Sequence, residues 1–265
     1  MNNIPIRVVQ ISDTHLFADE EQSLLGVKTQ ESFLAVINLL KREIKKNDLV
    51  VLSGDLSQDS STAAYTRLAD DLNLLQVPIY WVAGNHDDLV TIKQVYPREF
   101  ISNDQHIILK NWQIILLNSQ KPGAVEGYFD TSQLNHLQQC LESHPKHYAI
   151  IFFHHQPVSV GCGWLESIGL HNAKEFWDLI THYSMIKGVF FGHVHQEFKQ
   201  TVRGIPCYAT PSTCIQFKPK QINFALEKKP PGYRWIELYE DGRFETVVQR
   251  LAEYVGTFDV HAKGY

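Results

Sequence analysis

The chain has 265 residues, of which 44% are hydrophobic, and its formal net charge is −5. This length and composition predict a folded protein with a large core, organised as a single domain over residues 1–265. The acidic balance disfavours binding to long nucleic acid, which needs a basic face. Residues 1–12 lack a secretion signal, and no apolar run approaches the roughly 20 residues that span a bilayer, so we expect a cytoplasmic location without membrane contact.

Short segments rich in β-branched and aromatic residues recur along the chain and predict buried strands. These segments are Arg7–Ser12, Leu49–Ser53, Ile79–Ala83, Ile114–Asn118, Ala149–Phe153 and Gly188–Phe191. Between them, apolar residues that share one helical face predict helices. These faces contain Phe33, Ile37, Leu40 and Ile44; Ala64, Leu68, Leu72 and Leu75; and Leu134, Leu137 and Leu141 after Thr131 as a candidate cap. The alternation of strand and helix predicts an α/β domain with largely parallel strands.

The C-terminal part of the chain has a different pattern. Trp235–Gln249 alternates apolar and polar residues about an Asp241-Gly242 turn, which predicts an antiparallel hairpin. This hairpin belongs to a second sheet or forms an antiparallel edge. Pro211–Gly232 contains apolar and aromatic residues and is predicted to be a long ordered loop rather than a linker.

Polar clusters follow five of the predicted strands, at the point where each strand ends. They are Asp13-Thr14-His15, Gly54-Asp55, Gly84-Asn85-His86-Asp87, His154-His155-Gln156-Pro157 and Gly192-His193-Val194-His195. The carboxyl ends of the strands form one edge of an open α/β sheet, and ligands bind there. We therefore expect the five clusters to converge.

The side chains of these clusters are typical ligands of divalent metals. Seven of them provide two carboxylates, one amide oxygen and four imidazoles, without a thiolate, a set that matches iron, manganese or zinc. These seven are Asp13, His15, Asp55, Asn85, His154, His193 and His195. Seven donors exceed what one catalytic ion can use while keeping a position open, so two ions roughly 3.5–4 Å apart are expected to share a bridging carboxylate. Each short motif alone is more often structural or incidental than functional, but their order and their common position after strands favour the metal site.

Together the five clusters resemble the signature of the calcineurin-like metallophosphoesterases, over residue 7 to about 195. Other segments are similar to bacterial class III 3′,5′-cyclic-AMP phosphodiesterases: Gly161-Cys162-Gly163-Trp164, Thr210-Pro211-Ser212-Thr213-Cys214 and Gln216-Phe217-Lys218-Pro219. The resemblance implies a four-layer α/β/β/α sandwich, in which helices flank two mixed sheets. It also implies that residues from about 197 to 265 complete the second sheet and supply loops on the substrate side.

The resemblance further implies which residues hold the metals. One ion would be bound by Asp13, His15, Asp55 and His195, and the other by Asp55, Asn85, His154 and His193, with Asp55 as the bridge. The histidine doublet offers two candidates for one ligand position. We prefer His154, because it directly follows the strand, and expect a substrate-facing or supporting role for His155.

The activity implied is hydrolysis of 3′,5′-cyclic AMP to 5′-AMP, with a metal-bound hydroxide attacking phosphorus. The two divalent ions would be iron or manganese, with zinc as a third candidate. We expect His86 to contact a phosphoryl oxygen or to protonate the leaving oxygen, and Asp87 to orient it. Substrate contacts are expected from Asn85, His86 and His155.

Three alternatives to the predicted cyclic-AMP phosphodiesterase are considered. The substrate could be another small diester: a glycerophosphodiester, a lipid-linked nucleotide or another cyclic nucleotide. A binding scaffold on a decayed phosphoesterase fold is disfavoured because all seven donors are present, and a nuclease is disfavoured by the acidic balance. Trp164 and Phe217 are equally compatible with stacking on a base and with packing in the core. The sequence does not distinguish a monomer from a homodimer.

Overall fold

The strands of the protein follow the short apolar segments of its sequence. The computed structural model describes residues 4–254, 256–259 and 261–264, which contain sixteen strands and six helices. The strands are β1 (Ile6–Ile11), β2 (Ser23–Leu24), β3 (Val27–Lys28), β4 (Leu49–Ser53), β5 (Ile79–Val82), β6 (Ile101–Ser102), β7 (His106–Leu109), β8 (Trp112–Leu116), β9 (Tyr148–Phe152), β10 (Ile186–Phe191), β11 (Phe198–Val202), β12 (Ile205–Ala209), β13 (Gln216–Phe217), β14 (Leu226–Glu227), β15 (Gly232–Leu238) and β16 (Phe244–Arg250). All six predicted strands are confirmed.

The helices include the three that the apolar faces predict. They are α1 (Thr29–Leu40), α2 (Thr62–Asn73), α3 (Leu89–Val95), α4 (Thr131–Ser143), α5 (Gly163–Glu166) and α6 (Ala173–Ile180). The side chain of Ser61 caps α2 by accepting a hydrogen bond from the backbone N–H of Ala64. The prediction of Thr131 as the cap of α4 is wrong, because Asp130 precedes it and accepts from the N–H of Gln133.

Two six-stranded mixed sheets form the frame of the molecule. The first has the strand order β16-β15-β1-β4-β5-β6, and the second has the order β11-β12-β10-β9-β8-β7. In the first sheet the neighbouring strands β1-β4-β5-β6 are parallel to one another. In the second sheet the same holds for β12-β10-β9-β8. The predicted C-terminal hairpin is confirmed as β15–β16, but it pairs with β1 at the edge of the first sheet. The segment that completes the second sheet is the earlier hairpin β11–β12.

The two sheets pack face to face, and helices cover their outer faces. Buried residues of both sheets, among them Val51, Phe152 and Phe190, form the layer between them. A second cluster joins the first sheet to α1 and α2, as where Phe33 contacts its outer face. A third cluster joins the second sheet to α4 and α6 and contains Phe176 of α6. The four-layer α/β/β/α arrangement is therefore confirmed. No helix in the described part of the chain is long and apolar enough to cross a membrane.

A buried polar network joins the two sheets near the carboxyl ends of their strands. Arg234 on β15 is 3% exposed and donates to the hydroxyl oxygen of Thr210 (3.1 Å). Thr210 donates to the side-chain oxygen of Gln10 on β1 (2.6 Å). Gln10 in turn donates to the hydroxyl of Ser53 (2.8 Å) and to the carbonyl of Phe191 (3.1 Å), on opposite sheets. This network holds the sheets together directly beneath the polar clusters.

Loss of this polar network, called the clamp below, should reduce the stability of the fold. In the parent protein, Arg234 donates to the buried hydroxyl of Thr210 and, at 2.8 Å, to the carbonyl of Ala209. Arg234→Met removes the donor from both. We expect the free energy of unfolding to fall by about 1–3 kcal/mol, as measured by urea denaturation. The control is Arg243→Met in the same hairpin, where the arginine is 64% exposed and pairs with Asp241 at the surface. Its urea midpoint should stay close to that of the parent, and equal losses in both variants would contradict the clamp.

Candidate metal centre

The seven predicted donors converge where β1, β4, β5, β9 and β10 end. Six are buried and Asn85 is half-buried. Five of them have left-handed backbone conformations: Asp13 (φ 54°), His15 (φ 47°), Asp55 (φ 49°), His193 (φ 66°) and His195 (φ 47°). Positive φ is uncommon for residues other than glycine and persists only where the surroundings enforce it. The fold thus holds these side chains in a strained, common orientation.

One group of donors is formed by Asp13, His15 and His195. The Nε2 atoms of His15 and His195 lie 3.1 Å apart. Nε2 of His195 is also 3.4 Å from Oδ1 of Asp13. These ligand atoms from the ends of β1 and β10 are close enough to contact one ion.

The second group is centred on His154. Its Nε2 lies 3.2 Å from Nδ1 of His193 and 3.3 Å from Oδ1 of Asn85. Oδ2 of Asp55 is 3.2 Å from this nitrogen, and the same oxygen is 3.7 Å from Nε2 of His15 in the first group. Asp55 therefore lies between the two groups, which is the position that a bridging carboxylate requires.

Three of the histidines are oriented by hydrogen bonds from their other ring nitrogen. The Nδ1 atoms contact the side-chain oxygen of Gln58 (2.6 Å, from His15), the carbonyl of Ser53 (2.8 Å, from His154) and the carbonyl of Ile215 (3.0 Å, from His195). A carbonyl accepts and cannot donate, so Nδ1 carries a proton and Nε2 is the nitrogen that faces the centre. This arrangement is typical of metal-binding histidines.

Unpartnered buried atoms test whether metals fit this centre. Oδ2 of Asp13 and Oδ2 of Asp55 are buried without a hydrogen bond from any described residue. Buried polar atoms are normally satisfied, so such atoms imply a missing partner. Oxygen and imidazole donors without thiolate match iron, manganese or zinc. The residues present therefore fit a pair of divalent cations.

Burial and mutual charge set the protonation of the centre. Burial favours the neutral form of Asp55, but the charges of His154 and His86 hold its pKa well below the ordinary value. Burial also opposes protonation of His154, but Asp55 raises the pKa of His154 to about 9. Burial lowers the pKa of His15 to about 3 and that of His193 well below its usual range. Metal ligands must be deprotonated, and a divalent ion would replace the proton that His154 shares with Asp55.

The three glycines at the strand ends, Gly54, Gly84 and Gly192, allow the backbone to pass close to the donors. A Cβ atom at position 84 would lie 2.2 Å from Oδ1 of Asp55, and one at Gly54 would lie 2.4 Å from Nδ1 of His154. A Cβ at Gly192 would lie 2.1 Å from Oγ of Ser12. No side chain can be placed at these distances without moving its neighbour.

Asp87 is not placed to orient His86, so this expectation is corrected. Its carboxylate is buried and accepts from the N–H groups of Leu56 (3.0 Å) and Gly84 (2.8 Å) and from the hydroxyl of Tyr65 (3.1 Å). Burial, together with the charge of Asp55, raises the pKa of Asp87 to about 7. Asp87 connects the loop after β4 to the loop after β5, behind the donors.

The expectation that His155 faces a substrate is also corrected. The ring is fully buried; its Nε2 donates to the carbonyl of Val125 (3.0 Å) and its Nδ1 accepts from the hydroxyl of Ser119 (2.8 Å). Burial lowers the pKa of His155 to about 3, consistent with a neutral ring. Of the doublet, His154 is the residue whose free nitrogen faces Asp55, whereas His155 packs beside it.

Comparison with known proteins agrees with this geometry. A sequence model described as Calcineurin-like phosphoesterase matches residues 6–197. The chain belongs to the calcineurin-like phosphoesterases. Of curated relatives, the 3′,5′-cyclic adenosine monophosphate phosphodiesterase CpdA of Vibrio vulnificus is 41% identical over 263 residues, covering 98% of this chain and 95% of the relative. The protein of the same name from Escherichia coli K12 is 38% identical over 261 residues, with the same coverage.

Solved structures show the same fold. A dimetal phosphatase from Danio rerio matches with a TM-score of 0.68 and 15% identity, covering 94% of this chain and 98% of the other. A purple acid phosphatase from yellow lupin matches with a TM-score of 0.65 and 13% identity, covering 97% of this chain and 53% of the other. The calcineurin-like fold thus extends over nearly the whole chain.

A cavity of about 520 Å³ opens beside the donors of this calcineurin-like centre. At one end it is lined by Asn85, His86 and His193. The remaining lining residues are Val125, Trp164, Leu165, Ile168, Phe217, Asn223, Phe224, Lys263 and Gly264. The sequence motifs did not identify Asn223 and Phe224, although both lie in the segment predicted to be an ordered loop. Asn85 and His86 are half-buried, so both are accessible from the cavity.

Substitution of Gly84 should disturb the metal centre without replacing a donor residue. In Gly84→Ala the added Cβ displaces the carboxylate of Asp55, so metal affinity should fall by at least roughly 10-fold. Elemental analysis after dialysis against defined manganese concentrations measures this. Gly123→Ala is the control: its φ of 73° strains any side chain, but the added Cβ meets nothing within 4 Å and leaves Asp55 in place. Unchanged metal binding in Gly84→Ala would mean that Asp55 is not needed where the structure places it.

Proposed function

We propose that this chain is a metal-dependent phosphodiesterase that hydrolyses 3′,5′-cyclic AMP to 5′-AMP in the cytoplasm. The observation that carries the proposal is the pair of donor groups on either side of Asp55, in a chain whose relatives bear that activity in their names. A cyclic nucleotide is small enough for the adjoining cavity of about 520 Å³. The donor set favours iron or manganese, with zinc as a third candidate.

In this proposal each donor group holds one ion. Asp13, His15 and His195 bind the first, Asn85, His154 and His193 bind the second, and Asp55 belongs to both. Two ions bound there would activate a water molecule and neutralise charge on the phosphoryl oxygens. The chain supplies the orientation, because the hydrogen bonds at Nδ1 and the strained backbone hold the donors before any ion binds.

His86 is the residue proposed to act on the substrate itself. Its backbone N–H donates to Oδ1 of Asp55 (2.9 Å), and its carbonyl accepts from the hydroxyl of Ser60 (2.7 Å). The backbone is thus fixed on both sides while the imidazole lines the cavity, with its ring centroid 5.1 Å from that of His15. From there His86 hydrogen-bonds a phosphoryl oxygen or passes a proton to the departing 3′-oxygen.

Product analysis tests the proposed function. Manganese-loaded protein should convert cyclic AMP to 5′-AMP, chelation should abolish turnover, and added manganese should restore it. Asp55→Asn should be inactive, whereas Asp104→Asn, which changes an exposed carboxylate that belongs to neither donor group, should retain activity. Formation of 3′-AMP, or faster hydrolysis of glycerophosphodiesters or other cyclic nucleotides than of cyclic AMP, would contradict the assignment.

The role of His86 predicts a dependence on the leaving group. His86→Ala should keep its metal, but turnover of cyclic AMP should fall by roughly 10²–10⁴-fold, because a ribose alkoxide leaves poorly without a proton. A nitrophenyl diester needs that proton less, so its turnover should fall less. His182→Ala, an exposed histidine on the surface, is the control. Equal losses on both substrates would place His86 on the phosphoryl oxygens instead, and no loss would remove it from the reaction.

A further inference from the structure

The cavity beside the metal centre has two chemically different ends. The end formed by Asn85, His86 and His193 adjoins the donors. The other end is formed by aromatic rings in mutual edge contact: the ring centroids of Trp164 lie 4.9 Å from Phe217 and 5.0 Å from Phe224. A ligand that fills this cavity therefore has a phosphate at one end and an apolar, planar group at the other.

Trp164, Phe217 and Phe224 are called the aromatic wall of the cavity, and Phe217 is the one that contacts the metal centre. Phe217 is 1% exposed and stacks on His195 with a centroid distance of 4.1 Å and an interplanar angle of 8°. One face of Phe217 is therefore used to support a donor. Trp164 and Phe224 lie further out and are only half-buried, so they keep surface for a ligand.

The loop that carries Phe224 is held against the helix that carries Trp164. The N–H of Gly163 donates to the carbonyl of Gln221 (2.9 Å), and a Cβ at Gly163 would lie 3.1 Å from the carbonyl oxygen of Ile222. A side chain at position 163 would have to push the loop back by a few tenths of an ångström, so glycine permits the close approach. It sets Trp164 and Phe224 side by side before any ligand binds.

Polar groups accompany this apolar wall. Nε1 of Trp164 is buried and has no hydrogen-bond acceptor among the described residues. Asn223 is exposed, lines the cavity, and its amide is not engaged by another described side chain or backbone group. A buried N–H without an acceptor is unfavourable and is normally satisfied. The wall thus offers stacking surface and an exposed amide, which together match the face and edge of a heterocyclic base.

We propose that Trp164 and Phe224 form the binding site of the adenine base, called the base seat below, and that Asn223 hydrogen-bonds to the edge of that base. The inference rests on the proposed cyclic-AMP activity and specifies how that substrate is chosen. Aromatic rings stabilise bases by stacking. The amide of Asn223 both donates and accepts, which matches the N6 donor and N7 acceptor of adenine, whereas guanine presents two acceptors at that edge.

A substrate without a base separates this role from a structural one. Trp164→Ala should lower kcat/KM for cyclic AMP by roughly 5- to 150-fold, the usual effect of removing one stacking ring. The 3′,5′-cyclic phosphate of methyl riboside has the same leaving group and no base, so its hydrolysis should change little. Trp164→Phe should recover part of the loss on cyclic AMP. Equal losses on both substrates, or a loss of bound metal, would overturn the proposal.

The amide predicts a change in base preference. In Asn223→Leu, the ratio of kcat/KM for cyclic AMP to that for cyclic GMP should fall by roughly 5-fold or more. Ile222→Ala, which alters an 82% exposed side chain on the same loop, should leave the ratio unchanged. An unchanged ratio in Asn223→Leu would exclude Asn223 from base recognition.

The base seat is also testable if cyclic AMP is not the substrate. Adenosine should then still compete with hydrolysis of the methyl riboside cyclic phosphate or of a nitrophenyl diester, and Trp164→Ala should weaken that inhibition by roughly 5- to 150-fold. Inhibition by adenosine without turnover of cyclic AMP would count against the proposed function alone. No inhibition of the parent protein by adenosine would count against the seat.

Discussion

Two carboxylates, Asp13 and Asp55, are completely buried where the ends of the two sheets meet. A buried negative charge is unfavourable unless cations or hydrogen-bond donors surround it. Here the surroundings are imidazoles from strands of both sheets, and backbone N–H groups of His86 and His193 that donate to the two carboxylates. The rest of the site is arranged around these two carboxylates, because their buried negative charge is stable only with positive charge between them.

The fold supplies what this arrangement requires. Strands of both sheets end at the same place, and left-handed backbone at five donors turns their side chains inward. Gly54, Gly84 and Gly192 allow the strand ends to approach to distances that a methyl group would prevent. The network from Arg234 through Gln10 ties the sheets together immediately below. Strain and buried polarity are thus concentrated at the centre, as is common where geometry serves chemistry.

Residues next to the donors divide into those that support and those that face the cavity. Asp87 and His155 are buried like six of the seven donors, and their polar atoms are engaged by the protein. His86 is half-buried and borders the cavity, together with Asn85, the one half-buried donor. Adjacent positions in one short motif therefore have different roles, because the tight turn after a strand points successive side chains in different directions.

The sequence by itself predicted six of the strands, the C-terminal hairpin, the three longest helices and a set of candidate donors. Each of these depends on local patterns: apolar periodicity, and polar residues placed immediately after strands. Tertiary structure decided which sheet receives the hairpin β15–β16, because alternation shows that strands pair but not with which neighbour. It also turned Nε2 of His154 toward Asp55, enclosed the ring of His155 and placed Asp87 behind the donors, since side-chain direction in a turn depends on φ values and on partners distant in sequence, such as Ser53 and Ser119. The aromatic end of the cavity likewise arises only where α5 meets the loop before β14, segments that no local pattern brings together.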